Sequence, residues 1–201
     1  MPRRRRADEA FGSAASAIGP ITPDMSLFLV TRGQFSMIDM ILHAIQQMGP
    51  SEISVWTWAI ADYEVAAMAG LMGRGEITGG RLIVDQSADQ RNSATIESWR
   101  QRFGGQSVRI CKNHAKIARI SNGSLKVLIR GSCNLNFNPR FENVDISEGG
   151  PEYDLVRRIE DEMPILDREY SHAEAQAASG LGRAFESKTL ALFGTAKVWA
   201  K

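Results

Sequence analysis

Apolar residues along the first half of the chain come in runs whose period changes. "MSLFLVT" (25–31) is a short, unbroken apolar run with the length and β-rich content of a buried strand. "GQFSMIDMILHAIQQMG" (33–49) spaces its apolar residues three and four apart and stops at Gly49-Pro50, which predicts an amphipathic helix. "EISVWTWAI" (52–60) alternates, "YEVAAMAGLMGRG" (63–75) returns to helical spacing and halts at its glycines, and "GRLIVDQ" (80–86) is again a strand. The pattern to this point is βαβαβ, and "SATIESWRQRFG" (93–104) adds a helix ending at Gly104-Gly105.

Beyond residue 105 strands crowd together. "SVRIC" (107–111), "HAKIARI" (114–120) and "SLKVLIRG" (124–131) follow closely, and the last two are joined by "SNGS", whose Asn122-Gly123 is a strong hairpin signal. "NVDIS" (143–147) is one more short strand, and "PEYDLVRRIEDEMPIL" (151–166) is an amphipathic helix opening on Pro and Glu. These elements predict an α/β fold in one domain over residues 25–170, helices packed on a sheet with a late hairpin. Residues 1–24, rich in Arg, Ala, Gly, Ser and Pro without a sustained period, are expected to be a flexible basic leader, its "RRRR" either solvated or touching phosphates. The Ala-rich tail, 171–201, has no clear pattern; its Phe185, Leu190, Leu192, Phe193 and Trp199 suit docking on a partner or on a second copy.

Composition narrows the classes. A chain of 201 residues, 43% hydrophobic and 23% charged, is long enough for one full core and is not of disordered type. No window approaches the roughly 18 apolar residues of a membrane span, and no signal-peptide pattern opens the chain, so a cytoplasmic protein without membrane contact is expected. Cys111 and Cys133 lie apart, without cysteine or histidine at zinc-ligand spacing, which favours reduced structural thiols; no metal and no cofactor is expected. The net charge of +1 conceals an asymmetry: residues 91–130 hold nine Arg or Lys against Glu97, and 141–170 hold ten acids against three arginines. That predicts a basic face, on which Arg91, Arg100, Arg102, Arg109, Lys112, Arg119, Lys126 and Arg130 either track a nucleic-acid backbone or form a solvated surface. Arg109, Lys112, Arg119 and Arg130 are the nucleic-acid-binding candidates.

The candidate chemistry lies on the hairpin. If "HAKIARI" is a strand, His114 and Lys116 project from one face, and the returning strand brings Ser132 and Asn134 beside them. An imidazole, a cation and two neutral donors suit a phosphate diester: Lys116 to neutralise nonbridging oxygens, Ser132 and Asn134 to donate to them, His114 to attack phosphorus or protonate the leaving oxygen. Glu142 is placed to accept from the imidazole and fix its tautomer. His43 and His172 read as structural or surface histidines, and "MGRGE" (72–76) as a helix stop. Trp56 and Trp58 share a strand face and either line a groove or pack in the core, while Asn136 and Asn138 either add phosphate contacts or make a turn.

The order His-x-Lys, Gly-Ser-x-Asn, then Glu-Asn before a strand resembles the phospholipase D superfamily, whose signature is His-x-Lys-x4-Asp-x6-Gly-Ser-x-Asn. His114, Lys116, Gly131, Ser132 and Asn134 match it; Ser121 stands at the Asp position, and nine residues rather than six precede Gly131. The resemblance implies a mixed sheet flanked by helices on both faces with one motif copy per chain. It further implies a metal-independent phosphodiesterase, for this chain a DNA or RNA endonuclease. Its two subunits would share one site, one histidine forming a phosphohistidine and the other serving as acid. The Ser121 departure leaves open the alternative of a weak or inactive nucleic-acid-binding relative.

Overall fold

The apolar runs become neighbours in one sheet because each strand that they form buries at least one face. The computed structural model describes residues 5–136, 139–166 and 169–180. Its strands are β1 (Arg6–Glu9), β2 (Ser26–Thr31), β3 (Ser51–Thr57), β4 (Ile77–Asp85), β5 (Val108–Cys111), β6 (Lys116–Ser121), β7 (Lys126–Gly131) and β8 (Glu142–Glu148). They form an eight-stranded mixed sheet in the order β1-β2-β8-β7-β6-β3-β4-β5. The helices are α1 (Ala14–Ile18), α2 (Met37–Met48), α3 (Asp62–Gly73), α4 (Gln86–Arg91), α5 (Ser93–Phe103), α6 (Pro151–Glu162) and α7 (His172–Ala178). No helix among the described residues is long and apolar enough to cross a membrane.

Alternation along the strands sorts residues onto two layers. Val55, Leu82, Ala118, Ile120, Ile129 and Ile146 face one way and join the apolar sides of α2, α3 and α5 in the main core, where Ile41, Met68, Ile96 and Trp99 are buried. Trp56, Ile83, Cys111 and Ile117 face the other way, beneath α6 and α7 with Val156, Met163 and Ala178. The hairpin forms where its Asn-Gly predicts, with a loop of four residues rather than two: Gly123 takes φ 89°, the Asn122 side chain accepts from the Leu125 N–H at 2.8 Å, and Ser121 pairs with Lys126.

Two segments depart from expectation. Residues 6–18 are part of the fold rather than a leader: β1 pairs in parallel with β2, and Ala10, Ala14 and Ile18 are buried. "RADE" shows no apolar pattern because β1 is an exposed edge held by its backbone, and α1 is too short to display a period. The Arg6 guanidinium ties the two by donating to the Ala17 and Ile18 carbonyls, at 2.6 and 2.9 Å. At the other end α7 packs on the sheet with Ala175 buried, so the fold extends past residue 170. Arg3 and Arg4, and the apolar residues from Phe185 to Trp199, lie outside the described residues.

The layer under α6 is built on charge. Glu160 is fully buried; its Oε1 accepts from Ser54 Oγ (2.7 Å) and Trp56 Nε1 (2.8 Å), its Oε2 from Arg119 Nη2 (2.6 Å) and Nε (3.0 Å). Tyr153 adds its hydroxyl to Arg119 Nη1 at 2.8 Å. Burial lowers the Arg119 pKa, but Glu160 and Tyr153 outweigh it and raise the net value. Removing one partner of such a pair strands the other in a dry layer. Glu160→Ala is therefore expected to cost about 3–5 kcal/mol in a denaturant titration, and Glu160→Leu combined with Arg119→Met to recover most of it.

Candidate active site

Strands β2, β3, β4 and β5 run in one direction and end at Thr31, Thr57, Asp85 and Cys111. β6 and β8 run the opposite way, so their first residues, Lys116 and Glu142, lie at that same end with Gly131, the last of β7. Carboxyl ends of strands are where open α/β sheets take ligands.

Asn113 organises this end. Its side-chain amide is buried and donates to the carbonyls of Thr57 (3.2 Å), Ile83 (3.3 Å) and Ala115 (3.4 Å), while its Oδ1 accepts from the Ala115 N–H at 2.9 Å. The Asn113 N–H donates to Asp85 Oδ2 at 3.0 Å. Burial pushes the Asp85 carboxyl up, but hydrogen bonds from the Ser87 hydroxyl and N–H and from Asn113, with the Lys112 charge, outweigh it and hold the pKa below its ordinary value. One side chain thereby ties β3, β4 and the entry to β6.

That clamp changes the expected placement of His114. The β6 ladder begins only at Lys116, opposite Gly131, because Asn113 has taken the preceding backbone groups. His114 is a loop residue, exposed, and does not share a strand face with Lys116. The two are joined differently: Lys116 Nζ donates to the His114 carbonyl at 2.6 Å. The imidazole packs against Trp58, ring centroids 5.9 Å apart and tilted by 56°. The Arg91 guanidinium lies 5.0 Å from the Trp58 ring centroid.

Lys116 is buried, which holds its ammonium below the ordinary lysine range, and the Glu142 carboxylate acts in the opposite direction. The Ser132 hydroxyl donates to Glu142 and accepts the Asn143 N–H at 3.0 Å. Ser132 N–H in turn donates to the Asn143 carbonyl at 3.0 Å. This close approach explains Gly131, since a Cβ there would sit 2.0 Å from the Asn143 carbonyl oxygen. Asn134 Oδ1 accepts from the Trp58 N–H at 3.3 Å, and the Leu135 N–H donates to Thr57 Oγ1 at 3.0 Å, fastening the Gly-Ser-x-Asn loop to the end of β3.

Lys116, Ser132, Asn134 and Glu142 thus meet around one strand end, with His114 on the loop beside them. The partner that Glu142 acquires is the Ser132 hydroxyl, not the imidazole. Arg109 and Arg119 were expected on a nucleic-acid surface, yet both are committed to structure. Arg109 is buried with Nη1 on the Gln106 carbonyl (2.5 Å), and Arg119 is paired with Glu160. Lys112 is anchored through its backbone, its N–H donating to Ser179 Oγ of the α7 end at 2.5 Å, while Arg130 lies across from Asp145 on the α6 side of the sheet. Trp56 packs in the core, and His43 is a satisfied buried histidine with Nε2 2.7 Å from the Gly19 carbonyl. Asn138 lies outside the described residues. Sequence reasoning missed Asn113, Asp85 and Thr57; Asn directly before His114 was the one local signal.

No family model matches the chain, and no curated protein does. Among solved structures it is similar to a polyphosphate kinase from Porphyromonas gingivalis, with a TM-score of 0.50, 15% identity, and coverage of 83% of this chain and 31% of that one. The match shows the fold alone, which is phospholipase D-like, as the motif resemblance implies.

Two outcomes test this arrangement. Asn113→Ala leaves strand-end carbonyls without a donor and is expected to cost about 1–3 kcal/mol in chemical denaturation, Asn113→Asp at least as much. Burial, with Asp85 beside Cys111 and Glu142 beside Cys133, pushes the two thiols up to about 11 and about 12, from 9.0. Because the folded values are raised, the stabilisation is complete below pH 9.0 and is lost as pH climbs toward 11 and 12. Thiolate-selective modification at pH 8 is expected to spare both cysteines until the chain unfolds.

Proposed function

We propose that the chain is a phosphodiesterase of phospholipase D type that cuts DNA or RNA at a site shared by two subunits. The observation that carries this reading is the convergence of Lys116, Ser132 and Asn134 beside His114 at one end of a phospholipase D-like sheet. In the reading, Lys116 and the Asn134 amide hold the nonbridging oxygens, and the Ser132 hydroxyl joins them by turning its proton from Glu142 to the phosphate. A ring nitrogen of His114 forms a bond to phosphorus as the P–O bond to the leaving oxygen breaks, and the imidazolium of the second subunit's copy of this histidine gives that oxygen its proton. Water then adds to phosphorus, the P–N bond breaks, and the second imidazole takes up the proton the water sheds. Protein groups meet the phosphate charge, so the reaction is read as metal-independent.

A binding module without turnover is the second reading, and Ser121 in place of the motif's Asp is what favours it. Its position weakens the case. Ser121 is the last residue of β6, at the turn and on the α6 side of the sheet, about 17 Å along the strand from Lys116. Its hydroxyl accepts the Gly123 N–H at 3.4 Å, a turn contact remote from the chemistry.

With chelator present, the wild-type chain is expected to nick supercoiled plasmid or cut RNA. His114→Ala should fall by at least about a thousandfold and Lys116→Met by about a hundredfold or more. Light scattering is expected to give a dimer. Binding without cleavage would establish the module instead, and a strict monomer would remove the shared-histidine mechanism.

A further inference from the structure

Two exposed aromatic side chains stand at the same end of the sheet as the candidate site, one on each side. Trp58 follows the last residue of β3 and is 38% exposed; Phe141 precedes the first residue of β8 and is 68% exposed. Each carries a guanidinium: Arg91 lies 5.0 Å from the Trp58 centroid and Arg32 5.2 Å from that of Phe141. Arg32 is steadied through Nε by Glu9 Oε1 at 2.7 Å. Between these two pairs lie the ends of β7 and β6, which bear Ser132 and Lys116. Three strand spacings separate β8 from β3, a span of about 14 Å.

We infer that this rim is a stacking platform, and that the nucleic acid taken by the site is single-stranded. The inference rests on the nucleic-acid reading above and narrows it. An aromatic face beside a guanidinium answers both halves of a nucleotide, the base by stacking and the phosphate by charge, without regard to sequence. Two such pairs flanking a buried ammonium would hold a strand on either side of the phosphate that lies over Lys116. A duplex cannot use them, because its bases are stacked on one another and must be unpaired before they turn outward onto separate side chains.

The test uses the full chain carrying His114→Gln, so that no strand is cut, with labelled oligonucleotides as single strand or matched duplex at one fixed salt concentration. Anisotropy is expected to show the single strand bound roughly tenfold or more tighter than the duplex. Trp58→Ala and Phe141→Ala are each expected to weaken single-strand binding by roughly 5- to 100-fold, with Trp58→Phe restoring most of the affinity and duplex binding little changed. Equal affinity for the two forms, or indifference to both alanine substitutions, would overturn the platform and leave the nuclease reading standing. Absence of binding to either form would overturn both. If the alanine variants become monomers while the preference between forms is unaltered, the aromatics are subunit contacts and the platform is refuted.

Discussion

The site depends on one buried amide. Strands that end together leave carbonyls without ladder partners, and a buried carbonyl with no donor is costly. Asn113 donates to the carbonyls of Thr57, Ile83 and Ala115, while its own N–H is taken by Asp85. Two strands, β3 and β4, and the loop carrying His114 are therefore fixed by a side chain with no chemical part in the proposed mechanism. Thr57 extends the clamp, because its hydroxyl accepts the Leu135 N–H and so fixes the loop that carries Ser132 and Asn134. The β6–β7 hairpin brings the two halves of the motif together, and these polar contacts set where each half stops.

On the opposite layer a single buried carboxylate decides what Arg119 does. A charge-rich stretch reads as a surface when each residue is taken singly, yet β alternation sends Arg119 and Arg109 beneath α6 and α7. There Glu160 gathers Arg119, Ser54 and Trp56, with Arg81 bridging to Asp161 at 2.9 Å. The acidic helix supplies counter-charges to two of the basic residues, Glu160 to Arg119 and Asp154 to Lys126. What remains for a ligand is a smaller set near the strand ends, of which Arg91 and Arg32 are held against aromatic rings.

The legible parts of the fold were those with a strong local period: β2, α2, β3, α3, α5, the hairpin and α6 all fall where apolar spacing and turn chemistry place them. β1 was not legible, since an exposed edge strand needs no apolar face, and α4 is a single short turn system between Asp85 and Asn92. Within the site, the Asn122-Gly123 hairpin brings the Lys116 end of β6 beside the Gly131 end of β7, while the pairing of Lys116 with Gly131 is set by a four-residue loop, Asn122 to Leu125, rather than a two-residue turn. The strand start did not follow, because periodicity cannot report that Asn113 withdraws the groups before Lys116 and turns His114 into a loop residue. Glu142 was placed at the right end but given the wrong partner, since its bond to Ser132 comes from the close approach of β7 and β8 at Gly131, a tertiary fact.

That approach also accounts for the charge state of the site. Burial alone works against the Lys116 ammonium, and the nearby Glu142 carboxylate works to keep it charged. Glu142 is itself held by the Ser132 hydroxyl, and Ser132 by the backbone of Asn143. The cation that would meet a phosphate therefore rests on a chain of contacts that begins with the absence of a side chain at Gly131. Lys116 already donates to the neutral carbonyl of His114. An anionic phosphate oxygen is the stronger acceptor, so a ligand gains by drawing the ammonium toward itself, and the contact it competes with is the one that holds the histidine loop.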